Sequence, residues 1–128
     1  MGKGAYLRGA RFERQLKQAL TDKGFCVVRS SKSGVDGVSP DLVVLGSTKR
    51  FALECKAWQA SSLHFDAKKI EIMQQWEQRA GIPYYIAWKR NHKEWRFFPL
   101  AALKQTPRGY TLNENDLDAG LTLEKLLS

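Results

Sequence analysis

The sequence predicts an α/β domain, a mixed central β-sheet flanked by helices, on three observations. Apolar residues recur at helical spacing in two stretches, near residues 9–23 and 67–80. Short β-branched or aromatic runs, bounded by glycine, serine and polar turns, fill the intervals. The resulting order, α-β-β-β-α-β-β, leaves sheet faces that helices must cover. With 128 residues and 43% apolar content, a single domain with a modest core is expected. It spans residues 1–128, with its core over about 5–112 and a tail over 113–128.

The first helix follows from Phe12, Leu16, Ala19 and Leu20 on one stripe, and Gly24 ends it. Residues 25–29 are a short β-branched strand. Residues 30–40 (SSKSGVDGVSP) carry no apolar pattern and form a loop. Residues 42–45 are a buried strand, 46–49 (GSTK) a turn, and 51–57 alternate as a second strand. In the second helix, Ile70, Met73, Trp76 and Ala80 share a face, and Gly81 closes it. Pro83 leads into a strand over 84–88, and a polar turn returns through 95–98. The end of the chain adds Tyr110 to Leu112 and a short amphipathic piece around 121–127.

The charge is uneven. Lys and Arg number 21 against 13 Asp and Glu, a net of +8 with a pI near 9.7. Residues 1–32 carry a net of +6, residues 33–60 balance, residues 61–108 carry +5 and residues 109–128 carry −3. Two basic regions thus flank a neutral middle that contains carboxylates. Cleavage of a phosphodiester needs that arrangement, because cations hold the polyanion while carboxylates hold a metal. Solvated helix faces are the plainer account of any single lysine. The N-terminus (MGKGAYLRGARFER) is polar and basic, and no run approaches the ~18 apolar residues of a membrane span. No leader, no membrane association and a cytoplasmic location are therefore expected. Cys26 and Cys55 lie in apolar runs without metal spacing, which predicts reduced core thiols.

The chemistry concentrates in Pro40-Asp41, twelve intervening residues, and Glu54-Cys55-Lys56. Strand alternation puts Glu54 and Lys56 on one face and Phe51, Leu53 and Cys55 on the other. If residues 46–49 form the hairpin loop, Leu45 pairs with Arg50 and Asp41 falls opposite Glu54. Two facing carboxylates repel unless a cation lies between them. A few hard oxygen ligands, with room for water and phosphate oxygens, suit Mg²⁺. Lys56 beside them could orient or help deprotonate a water and offset charge on a pentacovalent phosphate. The same residues also fit a strand-entry turn and a solvated ion pair. Glu13 shares the helix stripe of Tyr6, Ala10, Leu16 and Leu20, so it is either a boundary residue or a further metal or water ligand. Arg14 and Arg29 are candidate phosphate clamps, or ordinary surface ion-pair partners.

In order and spacing, Gly9…Phe12-Glu13-Arg14, Gly24-Phe25-Cys26-Val27-Val28-Arg29, Ser33-Gly34, Pro40-Asp41 and Glu54-Cys55-Lys56 resemble the archaeal Holliday junction resolvases. Trp95-Arg96-Phe97-Phe98 falls where that family has a similar basic aromatic strand. The resemblance covers most of residues 3–100. Its Glu, Pro-Asp and Glu-x-Lys core is shared by many restriction-like nucleases of the PD-(D/E)xK type. The Glu-Arg helix followed by Val-Val-Arg and Ser-Gly is more specific.

The resemblance implies a restriction-endonuclease-like nuclease fold. It also implies a structure-selective DNA endonuclease that resolves four-way junctions in homologous recombination and repair by paired symmetric nicks. Asp41 and Glu54 become metal ligands for Mg²⁺, with Mn²⁺ as a substitute and no small-molecule cofactor beyond the metal. Glu13 and Lys56 become catalytic, Glu13 with a place at the metal. Ser33 acts from the loop, and Arg14 and Arg29 handle phosphate. Lys3, Arg8 and Arg11 in the basic N-terminal segment, and Lys32 in the loop, are further expected phosphate contacts.

Two cuts in strands of like polarity call for two copies of the site, so a homodimer is expected. The aromatic residues Trp76, Tyr84, Tyr85, Trp88, Trp95, Phe97 and Phe98 either supply a dimer surface or complete the core. Two alternatives stay open: another PD-(D/E)xK endonuclease of restriction or repair type, and a non-catalytic basic DNA-binding module.

Overall fold

A computed structural model describes residues 3–30 and 39–128, with side chains from residue 9 onward. The long helix α1 (Lys3–Asp22) leads into an antiparallel run of β1 (Cys26–Arg29), β2 (Leu42–Leu45) and β3 (Arg50–Lys56). A short strand, β4 (Ser62–Asp66), precedes α2 (Ala67–Ala80) and β5 (Tyr84–Trp88), which lies parallel to β3. The chain then forms β6 (Arg96–Pro99), β7 (Lys104–Thr106), β8 (Gly109–Asn113) and a closing α3 (Leu123–Leu127). The main sheet is mixed and five-stranded, in the order β1-β2-β3-β5-β6. This is the expected fold class.

Alternation along the strands divides the core between the two faces of this sheet. On one side Leu16 and Leu20 of α1 meet Leu42, Val44, Phe51, Leu53, Ala87 and Phe97. On the other, Ile70 and Met73 of α2 meet Ala52, Tyr84, Ile86 and Trp88. That second side is also closed by a three-stranded sheet, β4-β8-β7, through Leu63, Phe65 and Leu112. The sequence reading contains no β4, no β7 and no second sheet. Gly109 lets β8 run this close to β4: a Cβ there would lie 2.2 Å from the Phe65 carbonyl oxygen, at a φ of 149°.

Three other expectations change. Gly9 lies inside α1 and does not open it. Residues 113–128, expected as a tail outside the core, contribute to it at two positions: Leu117 and Leu126 are buried, and Leu121 bridges Phe97. Cys26 is exposed, because β1 is the outermost strand of the sheet; both thiols are free. Of the seven aromatics, Tyr84, Trp88, Phe97 and Phe98 are fully enclosed and Trp76, Tyr85 and Trp95 are part-buried, so they mainly complete the core. Among the described residues, no helix is long and apolar enough to cross a membrane.

Candidate active site

The β2–β3 hairpin has the register that its four-residue turn predicts. Leu45 faces Arg50 and Leu42 faces Leu53, so the next pair outward is Asp41 and Glu54. The hydrogen bond from the Cys55 amide to Asp41 Oδ2, at 2.8 Å, locks the aspartate against the end of β3. The strand's alternation then turns Glu54 and Lys56 toward α2, while Phe51, Leu53 and Cys55 pack on the α1 side.

Glu54 is buried, with 6% of its surface accessible. Two ammonium groups cover one of its oxygens: Lys56 Nζ lies 3.6 Å from Oε2 and Lys69 Nζ 3.7 Å from it. Burial pushes the Glu54 carboxyl up from its ordinary value, and the negative charge of Asp41 pushes it the same way. Lys56 and Lys69 pull in the opposite direction without cancelling the rise. Loss of water around the buried carboxyl, more than the charge of Asp41, sets that rise.

Glu13, on α1, accepts a charge-assisted hydrogen bond from Arg29 Nε on β1 at 2.8 Å. The two residues stand on different elements, and the pairing brings the helix and the edge strand together at the mouth of the site. The thiol of Cys55 registers how near the acids are. Its pKa is raised well above the ordinary value, first by burial and then by the charges of Asp41, Glu13 and Glu54. Arg11 and Arg14 are exposed on α1, Arg11 with its guanidinium 5.4 Å from the Phe12 ring. The side chains of Lys3 and Arg8 and all of Lys32 and Ser33 lie outside the described residues, as does most of the loop expected to meet DNA.

The structure adds two basic residues that were not among the expected site residues. Lys69 reaches Glu54 from the first turn of α2, where Asp66 caps the helix by accepting from the Lys69 amide at 2.7 Å. A lysine there opposes the helix dipole. Lys68-Lys69 at a helix start was thus a local inconsistency that pointed to a partner elsewhere. Lys89 follows the end of β5. Its amide donates to the Lys56 carbonyl at 2.8 Å, and its ammonium lies 4.9 Å from the Phe12 ring of α1.

Donor chemistry suits a hard divalent cation. Asp41 and Glu54 offer carboxylate oxygens at one place, and an ion of the Mg²⁺ kind takes one or two carboxylates and completes its shell with water and phosphate oxygens. No three His, Cys, Asp or Glu side chains gather closely enough among the described residues to form a ready-made metal cage.

A buried carboxylate between two lysines, faced by an aspartate on the neighbouring strand, is a nuclease-like arrangement, and comparison with known proteins gives it a family. A model described as "Archaeal holliday junction resolvase (hjc)" matches residues 4–128. The chain belongs to the archaeal Holliday junction resolvase family. It is 31% identical over 120 residues to the crossover junction endodeoxyribonuclease Hjc of Archaeoglobus fulgidus, covering 93% of this chain and 88% of that protein. It is 30% identical over 125 residues to the protein of the same name from Sulfurisphaera tokodaii, covering 94% and 85%. The 1.6 Å structure of the A. fulgidus protein, titled a Holliday junction resolvase, superimposes with a TM-score of 0.83 at 28% identity. That match covers 93% of this chain and 94% of the other, so the family fold is present across nearly the whole length.

Proposed function

We propose that this protein is a crossover junction endodeoxyribonuclease that resolves four-way DNA junctions as a homodimer, one nick from each protomer, with Mg²⁺ bound at its site. The single observation that carries the reading is Asp41 set opposite Glu54, with Lys56 on the face of Glu54, in a chain of this family.

Asp41 and Glu54 would hold the ion, and Glu13 would act on its water side. When bound, the ion supplies Lewis-acid polarisation of the phosphate and a more acidic water. Lys56 stands within reach of Glu54 to orient the attacking water and to offset charge building on the phosphate. The Cys55 amide keeps Asp41 from turning away. Arg14, Arg29, Arg11, Lys3, Arg8 and Lys32 would hold phosphates, and Ser33 would act near the scissile strand. Mn²⁺ would substitute for Mg²⁺. Twofold pairing supplies the second cut that a single site cannot make.

The test incubates the protein with a synthetic four-way junction and a matched linear duplex, in Mg²⁺ or EDTA, wild type beside Asp41→Asn. Symmetric nicks on the junction alone, lost in EDTA and in the variant, are expected. Equal cutting of the duplex would leave a general nuclease, and metal-independent binding without cuts would overturn the enzymatic reading.

A further inference from the structure

Just beyond the end of β3 the chain sets a large aromatic ring in solvent. Trp58 is 43% exposed, whereas Trp88 is wholly buried. The backbone beneath that ring is held in place. The Trp88 indole donates to the Trp58 carbonyl at 3.0 Å. Gln59 next to it is gripped from the 89–94 turn: its carbonyl accepts from Arg90 Nη2 at 3.1 Å and its side-chain oxygen from the Asn91 amide at 2.9 Å. An exposed ring on a fixed main chain is preorganised for contact. It also stands at the site, because the Lys56 ammonium lies 4.7 Å from the ring centroid and 3.6 Å from Glu54 Oε2. One side chain separates the ring from the buried carboxylate.

At Gln59, the residue after Trp58, a cleft of about 380 Å³ begins, lined also by Arg90, Asn91, Lys93, Glu114 and Asp118. Its charges balance, two cations against two anions, and Arg90 is already paired with Glu114. Such a wall offers a phosphate little and suits a neutral heterocycle better.

We propose that Trp58 and this cleft form a subsite for one unpaired nucleobase, splayed from the branch point next to the scissile phosphate and stacked on the Trp58 ring. The inference rests on the reading of the site as a junction-cutting nuclease and adds how branched DNA is told from linear. Every base has a π-face, so the subsite is indifferent to sequence. A continuous duplex keeps its bases stacked on one another and presents none to the ring.

The experiment compares wild type, Trp58→Phe and Trp58→Leu. Binding in EDTA is followed by anisotropy on a four-way junction carrying 2-aminopurine at the branch point and on a matched linear duplex. Single-turnover cutting is followed in Mg²⁺. Trp58→Leu should bind the junction about tenfold more weakly, within the range set by loss of one base–aromatic stack. It should bind the duplex as before and lose the 2-aminopurine change that wild type gives. Trp58→Phe should keep that change and most of the affinity.

If Trp58→Leu slows cutting with affinity and 2-aminopurine signal intact, the ring serves only to hold Lys56 and the proposal is wrong. An equal loss on junction and duplex, or dissociation of a dimer in sedimentation, would also overturn it. A wild-type protein that cuts both DNAs alike would sink the resolvase reading yet leave the base contact legible in the 2-aminopurine signal.

Discussion

The two faces of β3 are built from alternate residues of one strand, and they do different work. Phe51 and Leu53 are buried beneath α1 in an apolar cluster, with Cys55 packed against it. On the other face Ala52 is equally buried, but Glu54 and Lys56, next along, carry the charged site toward Lys69 of α2. Alternation lets a strand fix its position with one set of side chains and expose chemistry with the other. The consequence is that stability and activity should separate at neighbouring positions.

Glu54→Gln gives the largest expected effect. It keeps the shape, removes the charge that Lys56 and Lys69 face, and should cost junction cleavage at least the ~10²–10³-fold expected for one preorganised electrostatic group. Its thermal midpoint should hold or rise, since a buried carboxylate repelled by Asp41 is replaced by a neutral amide. Leu53→Ala, one residue earlier, should do the reverse. It should lower unfolding free energy by about 2–5 kcal/mol in a urea titration, while the folded fraction at low temperature retains cleavage. A Glu54→Gln protein that unfolds easily, or a Leu53→Ala protein that is stable but inactive, would break the separation.

The same contrast predicts a pH dependence, measured in EDTA so that no cation compensates. The Glu54 carboxyl is raised above its ordinary value of 4.5 in the folded chain. The native state therefore binds its proton more tightly than the unfolded chain does. Stability from this group is present at and below the unfolded value and is lost as pH rises through the higher folded one. Wild type should lose stability over that window above pH 4.5, and Glu54→Gln should show a flatter curve. Identical curves would mean that Asp41 and burial do not strain this carboxylate.

How far the site was legible in the sequence depends on how local each part is. The facing of Asp41 and Glu54 needs only a four-residue turn and strand alternation, both of which short-range pattern supplies. Lys69 needs α2 docked against β3, a tertiary fact; its only local trace is a lysine where the helix dipole disfavours one. The second sheet was hidden for a similar reason. Ser62–Asp66 is five residues long, and its partner β8 lies far along the chain, so neither strand signals alone. The amphipathic look of residues 121–127 concealed Leu126, which is buried in the cluster that holds Leu16, Leu20 and Phe97, a placement that only the tertiary fold supplies.

The two cysteines provide the finest test, because an apolar neighbourhood in sequence suggested the same fate for both. Cys26 sits on the outermost strand and is exposed, whereas Cys55 points into the α1 side of β3. Burial and the charges of Asp41, Glu13 and Glu54 all raise the Cys55 pKa. The thiolate is the reactive form. A thiol-reactive chromophore at neutral pH should therefore label one equivalent quickly, at exposed Cys26, and the second more slowly, at half-buried Cys55. Cys26→Ser should remove the fast phase without changing cleavage. Fast labelling of Cys55 in that variant would mean that the thiol is open to water and that the three acids around it are less enclosed than Glu54 requires.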